Sequence, residues 1–173
     1  MIRRVLVFAA LGVVLAALET ALLAALGIHA VALHLFLGLV VYLAVHAGGI
    51  DGALGAAAVG YAWDAFAGTP TGLSVVLCVA LFLGIRIASQ ALDAAGPVLS
   101  VLGAAAQLGY GLGAVALLAL GGQLGDAHFG RILGTLGWEV LLALVVVPAV
   151  CALAGFVDRR LGGEPEGSEV LLR

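Results

Sequence analysis

Apolar residues run along this chain in long blocks, separated by short clusters of glycine, proline and charge. The blocks cover roughly residues 5–26, 29–45, 48–67, 73–92, 98–120 and 138–157. A helix rises about 1.5 Å per residue, so about 20 residues cross a hydrocarbon core of about 30 Å. No stretch alternates apolar and polar positions as a transmembrane barrel strand does. The pattern predicts an all-α, polytopic helical membrane protein with about six transmembrane helices in one bundle over residues 1–157. Residues 158–173 contain Gly162-Gly163-Glu164-Pro165-Glu166-Gly167-Ser168 and are expected to form a flexible cytoplasmic tail.

The first block follows Arg3-Arg4 and superficially resembles a signal peptide. It continues to Leu26 and five further blocks follow, so it is expected to be a retained helix. Breaks are expected at Gly27, at Gly68-Thr69-Pro70-Thr71-Gly72 and at Gly96-Pro97, with the longest interior loop over 121–134.

Within the third block, small residues recur every fourth position at Gly48, Gly52, Ala56 and Gly60, then continue through Asp64, Gly68 and Gly72. Four residues advance a helix by about 400°, so these positions form one slowly drifting stripe without bulk. Such a stripe lets a second backbone approach closely. Ala17, Ala21 and Ala25 form a second stripe in the first block. The Gly48–Gly72 stripe, which carries an acid and leads into a turn, is expected inside the bundle against the fourth segment. The alanine stripe is expected outside, against a partner helix.

Composition reinforces the membrane reading: 64% of the 173 residues are hydrophobic and 10% are charged, against about a quarter charged in soluble domains. There is no lysine. Arg3, Arg4, Arg159, Arg160 and Arg173 lie towards the ends, Arg86 near the end of the fourth block, and Arg131 in the 121–134 loop. With six spans, the positive-inside rule puts both termini and six of these seven arginines on the cytoplasmic side of the membrane. No basic patch for nucleic acid is present. Cys78 and Cys151 lie within apolar blocks and read as buried small hydrophobes.

Charged residues inside a span need a reason to be there. Asp64, four residues before the Gly68 turn, has two readings. Structurally, it would accept hydrogen bonds from the first amides of the next helix, at Leu73 and Ser74, or from Thr69 and Thr71. Functionally, it would be a relay acid, with Glu19 and Glu139 as companions. Glu19 is expected to pair with His34 as a buried polar pair, and Arg86 to snorkel without a buried partner. His29 and His34, five residues apart, do not share a helix face, so no metal site is expected. Gly109, Gly111 and Gly113 lie inside an apolar block and read as packing glycines, not as a dinucleotide loop. No catalytic constellation is legible, and neither an enzyme nor a cofactor is expected.

The pattern Gly60-x3-Asp64-x3-Gly68-Thr69-Pro70-x-Gly72, closing the third block, resembles the rod shape-determining MreD family. Chain length, the polar Glu19-Thr20 break and the short charged tail resemble it too; the specific match covers about residues 48–90. The resemblance implies a non-enzymatic inner-membrane subunit of the bacterial cell-elongation machinery, which supports peptidoglycan synthesis. It further implies contact with a single-span MreC-like protein and, indirectly, with MreB, RodA and a penicillin-binding transpeptidase. The implied fold is similar to that of the substrate-binding subunits of energy-coupling-factor transporters. A vitamin-binding subunit of that type is the alternative function. The family often has bulky, basic cytoplasmic ends, whereas this tail is rich in glycine and glutamate.

Overall fold

The computed structural model describes residues 2–26, 34–47, 49–67, 72–91, 97–122 and 126–160. Among these it has six helices: α1 (Ile2–Leu26), α2 (Leu35–His46), α3 (Gly49–Ala67), α4 (Leu73–Ala91), α5 (Pro97–Leu120) and α6 (Asp126–Arg160). The protein is all-helical over these residues, and four helices (α1, α4, α5 and α6) are long and apolar enough to cross a membrane. Leu6, Ile87, Val101 and Val145 are all more than 60% exposed on the bundle's outside. An outer surface with so much bare aliphatic area belongs in lipid, and the protein is membrane-embedded.

The second segment departs from expectation. α2 has 12 residues, about 18 Å of helix, and is too short to span on its own. It lies at the centre of the bundle instead, packed against all five other helices, with Phe36 to Ala44 buried without a break. A helix that is apolar on every side is stable only when wrapped by others. α3 is long enough, at 19 residues, but Asp51, Asp64 and its glycines dilute its apolar character below that of the four spanning helices.

Glycines set the packing distances. A Cβ on Gly60 would lie 2.7 Å from the Ser74 carbonyl oxygen, so α3 and α4 touch backbone to backbone there. Gly52, Ala56, Gly60 and Asp64 are all buried, and the Gly52 position faces the Phe82 ring of α4. Those members of the small-residue stripe therefore face inward, against α4. Gly48, Gly68, Thr69, Pro70 and Thr71 lie outside the described residues. Gly72 has φ +96°, a backbone conformation that glycine adopts without steric cost. Gly109, Gly111 and Gly113 receive Leu81, Leu136 and Leu77 respectively, while Gly38 and Gly103 receive Val150 and Val147 of α6.

Two boundaries shift. α6 begins at Asp126, so much of the 121–134 stretch expected as a loop is helical. Residues 126–134 contain no proline, and Gly130 and Gly134 are taken up within the helix; Pro148 lies further along it. At the other end α6 continues to Arg160, so residues 158–160, assigned from the sequence to the tail, are helical. Asp158 is buried there, accepting a 3.0 Å hydrogen bond from the Tyr42 hydroxyl of α2. The rest of the expected tail, 161–173, lies outside the described residues.

Candidate functional site

All six helices send a polar or aromatic side chain into one buried layer. It is built from two carboxylates that tie helices together and a third that does something else.

Asp64, near the end of α3, accepts the Gly72 amide at 2.8 Å on Oδ2 and the Ser74 amide at 3.1 Å on Oδ1. The first turn of α4 has no intrahelical partners for these amides, and lipid supplies no water to satisfy them. A carboxylate there also complements the positive end of the helix dipole. Ser74 was anticipated as a partner from the sequence; Gly72 takes the place expected for Leu73.

Glu19 repeats the device one hairpin earlier. It is 1% exposed, and its Oε1 and Oε2 accept the His34 and Leu35 amides at 2.9 and 3.0 Å. The expected pairing with His34 is thus made through the backbone, not the ring. His34 has φ 45° and ψ 49°, a left-handed conformation that puts its amide and the next one on the same carboxylate. Thr20 turns outward and bonds the carbonyls of Ala16 and Ala17.

The His34 ring points into the bundle. Its Nδ1 lies 2.8 Å from Gln107 Nε2 of α5, and the same nitrogen donates at 3.0 Å to Glu139 Oε2 of α6. An amide nitrogen carries two hydrogens, so Gln107 can serve both acceptors when His34 Nδ1 is the unprotonated ring nitrogen. Glu139 Oε2 is 3.9 Å from the same Nδ1. Around the imidazole stand Tyr110, Phe36 and Trp63, with centroids 5.0, 5.7 and 5.7 Å away. Phe36 and Trp63 stack at 4.6 Å. The Tyr110 hydroxyl closes the layer against Ser74 Oγ at 2.9 Å.

The three acids therefore differ in kind. Glu19 and Asp64 bond backbone amides with both oxygens, whereas Glu139 takes its bond from a side chain, that of Gln107. Reading the sequence for ionisable groups missed Gln107, the bond of the Ser74 hydroxyl to Tyr110, and the three aromatic residues. The available signal was Gln107 itself, the one carboxamide in the fifth apolar block.

Towards the opposite ends of these helices, Arg86 is half-buried and donates from Nη1 to the Ala47 carbonyl, the C-cap of α2. The expectation of free snorkelling is thereby corrected: the last carbonyls of α2 lack helical partners, and a guanidinium satisfies one. His46 is exposed and stacks on Tyr42 at 4.5 Å. Cys78 and Cys151 are buried free thiols. Among the described residues, no cluster of three or more His, Cys, Asp or Glu has a metal-holding arrangement. Ala17, Ala21 and Ala25 lie on the exposed face of α1. Comparison of the chain with protein-family models, curated proteins and solved structures gave no match.

Proposed function

We propose that this chain is a non-enzymatic membrane scaffold of the MreD type, serving the bacterial cell-elongation machinery in the inner membrane with both termini cytoplasmic. The observation that carries the reading is the division of its two small-residue stripes. Gly52, Ala56, Gly60 and Asp64 are buried against α4, while Ala17, Ala21 and Ala25 are exposed. Helix association in lipid depends on close backbone approach, so an exposed alanine face suits a single transmembrane helix of an MreC-like partner. Use of Glu19 and Asp64 as helix ties favours a structural role for both over the relay alternative. MreB, RodA and a penicillin-binding transpeptidase would be engaged indirectly, through that partner. Ala21→Leu separates two backbones without adding charge, so it should reduce co-purification with the partner at least several-fold while leaving detergent stability unchanged. Retention of the full complex by Ala21→Leu would remove the basis for this surface.

One observation favours a second reading, the substrate-binding subunit of an energy-coupling-factor type transporter. His34, Gln107 and Glu139 converge among Phe36, Trp63 and Tyr110, and binding sites are built from a few such polar groups in an apolar frame. The two readings separate genetically: a neighbouring MreC-like reading frame favours the scaffold, and a neighbouring ATPase pair the transporter.

A further inference from the structure

The setting of the His34 imidazole serves two protonation states. In the arrangement observed, Gln107 Nε2 faces His34 Nδ1 at 2.8 Å and Glu139 Oε2 at 3.0 Å. Reversing the carboxamide would set its oxygen against a carboxylate oxygen, so an ionised Glu139 requires the nitrogen on its side. The second hydrogen of that nitrogen then needs a lone pair at Nδ1, which the neutral ring supplies. The same setting also fits the cation. Glu139 Oε2 is 3.9 Å from Nδ1, about 1 Å beyond a charge-assisted hydrogen bond. The ring centroids of Tyr110, Phe36 and Trp63 lie 5.0, 5.7 and 5.7 Å from that of the imidazole, within the reach of about 6 Å over which an aromatic ring attracts a cation. The side chains of His34 and Glu139 keep 13% and 10% of their surface exposed, so neither is sealed from protons.

The other titratable side chains brought to this layer are Glu19 of α1, Asp64 of α3, Cys78 of α4 and Tyr110 of α5. Glu19 and Asp64 each spend both oxygens on backbone amides, so neither competes with Glu139 for the ring. A thiol and a phenol ordinarily ionise above neutrality, outside the acid range in which an imidazole gains its proton. We infer that His34 is a proton-binding group whose protonation exchanges its bond to Gln107 of α5 for a direct ion pair with Glu139 of α6. A solvent proton bonds to the Nδ1 lone pair and displaces the Gln107 hydrogen aimed at it. The other Gln107 hydrogen stays on Glu139 Oε2, and Nδ1–H donates to the same carboxylate. The start of α2 is thereby tied to α6 instead of α5, and pH selects between two arrangements of the layer. The inference rests on neither functional reading, because the ligand is the proton itself.

Tryptophan emission of the full chain in detergent tests it. Trp138 is 58% exposed, and Trp138→Phe leaves Trp63 as the one tryptophan, beside the imidazole. An imidazolium at contact quenches indole emission far more than a neutral imidazole does. Emission should therefore fall about two-fold, reversibly, between about pH 8 and about pH 4, with helix content and elution volume unchanged. Glu139→Gln removes the partner of the cation and should move the midpoint at least one pH unit lower. His34→Asn keeps the amide that Glu19 holds and a residue type that tolerates the left-handed backbone, and it should abolish the transition. If His34→Asn folds poorly, nitrogen-15 spectra of histidine-labelled protein decide the matter: the one histidine whose midpoint moves in Glu139→Gln should gain its proton at Nδ1. An emission that ignores pH, a transition that survives His34→Asn, or a midpoint unmoved by Glu139→Gln would overturn the inference. So would loss of helix at the same midpoint, which would make the transition acid unfolding.

Discussion

Gly60 and Ser74 meet through their backbones: a Cβ added to Gly60 would stand 2.7 Å from the Ser74 carbonyl oxygen and 2.9 Å from Cα of Val75. Backbone cannot swing aside as a side-chain tip can, so even one methyl group forces α3 and α4 apart. Gly60→Ala should destabilise the fold by about 1–3 kcal/mol, as overpacking does. Gly84→Ala is the control, because nothing lies within 4 Å of its Cβ position and alanine is the better helix former by about 0.5–1 kcal/mol. Thermal melting in detergent should separate the two in opposite directions; equal melting temperatures would mean that the α3–α4 contact is looser than described.

Asp64 should tolerate asparagine better than leucine. Asparagine keeps one carbonyl for the Gly72 or Ser74 amide but turns its own NH₂ towards the other, for a loss of about 1–3 kcal/mol. Leucine leaves both amides without an acceptor and should lose more. The survival of folded protein after graded heating gives the order. If both variants stay fully folded yet abolish function equally, the negative charge itself is required and the relay reading returns.

Gln107→Leu should harm the bundle more than Glu139→Gln. The leucine leaves His34 Nδ1 and Glu139 Oε2 without their shared donor, whereas glutamine at 139 still offers a carbonyl to Gln107. Differential scanning fluorimetry with a thiol-reactive dye suits the comparison, because Cys78 and Cys151 are buried free thiols that react only as the bundle opens. Under the scaffold reading Glu139→Gln should also retain the MreC-like partner; its loss at unchanged stability would move the partner surface to this layer.

The arginine distribution makes a separate prediction about orientation. In a background lacking both cysteines, a reporter cysteine at Gly125 should react with an impermeant maleimide from outside, and one at Gly167 should not. The reverse pattern would invert the assignment of both termini.

Much of this architecture could be read from residue spacing. The four-residue period from Gly52 to Asp64 fixes a helix face, and an acid just before a glycine-proline turn points at the amides beyond it. The limits of α3, α4 and α5 follow for the same reason, since glycine and proline punctuate them. α2 was harder because hydropathy alone does not separate a helix bathed in lipid from one wrapped in protein; both read as an unbroken apolar run. His34 meets Glu19 across 15 positions and Gln107 across 73, and Gln107 meets Glu139 across a further 32. No local pattern announces partners that only the tertiary fold brings together. Arg86 was misjudged for a related reason, because its acceptor is a backbone carbonyl, and a sequence does not show which carbonyls a helix end leaves bare.

α2 is tied at its first amides by Glu19 of α1, but along its length and at its C-terminal end it is held by later parts of the chain. Its C-terminal carbonyl waits for Arg86, its Gly38 for Val150, and its Tyr42 for Asp158, 116 residues further on. During synthesis the second helix to emerge is therefore among the last to find its place, and until α6 arrives it has neither lipid-spanning length nor a finished envelope. The bundle has no autonomous half. Nascent chains arrested before residue 150 should remain open to protease along α2, and quality control would meet truncated forms of this protein as unfinished, not as smaller stable domains.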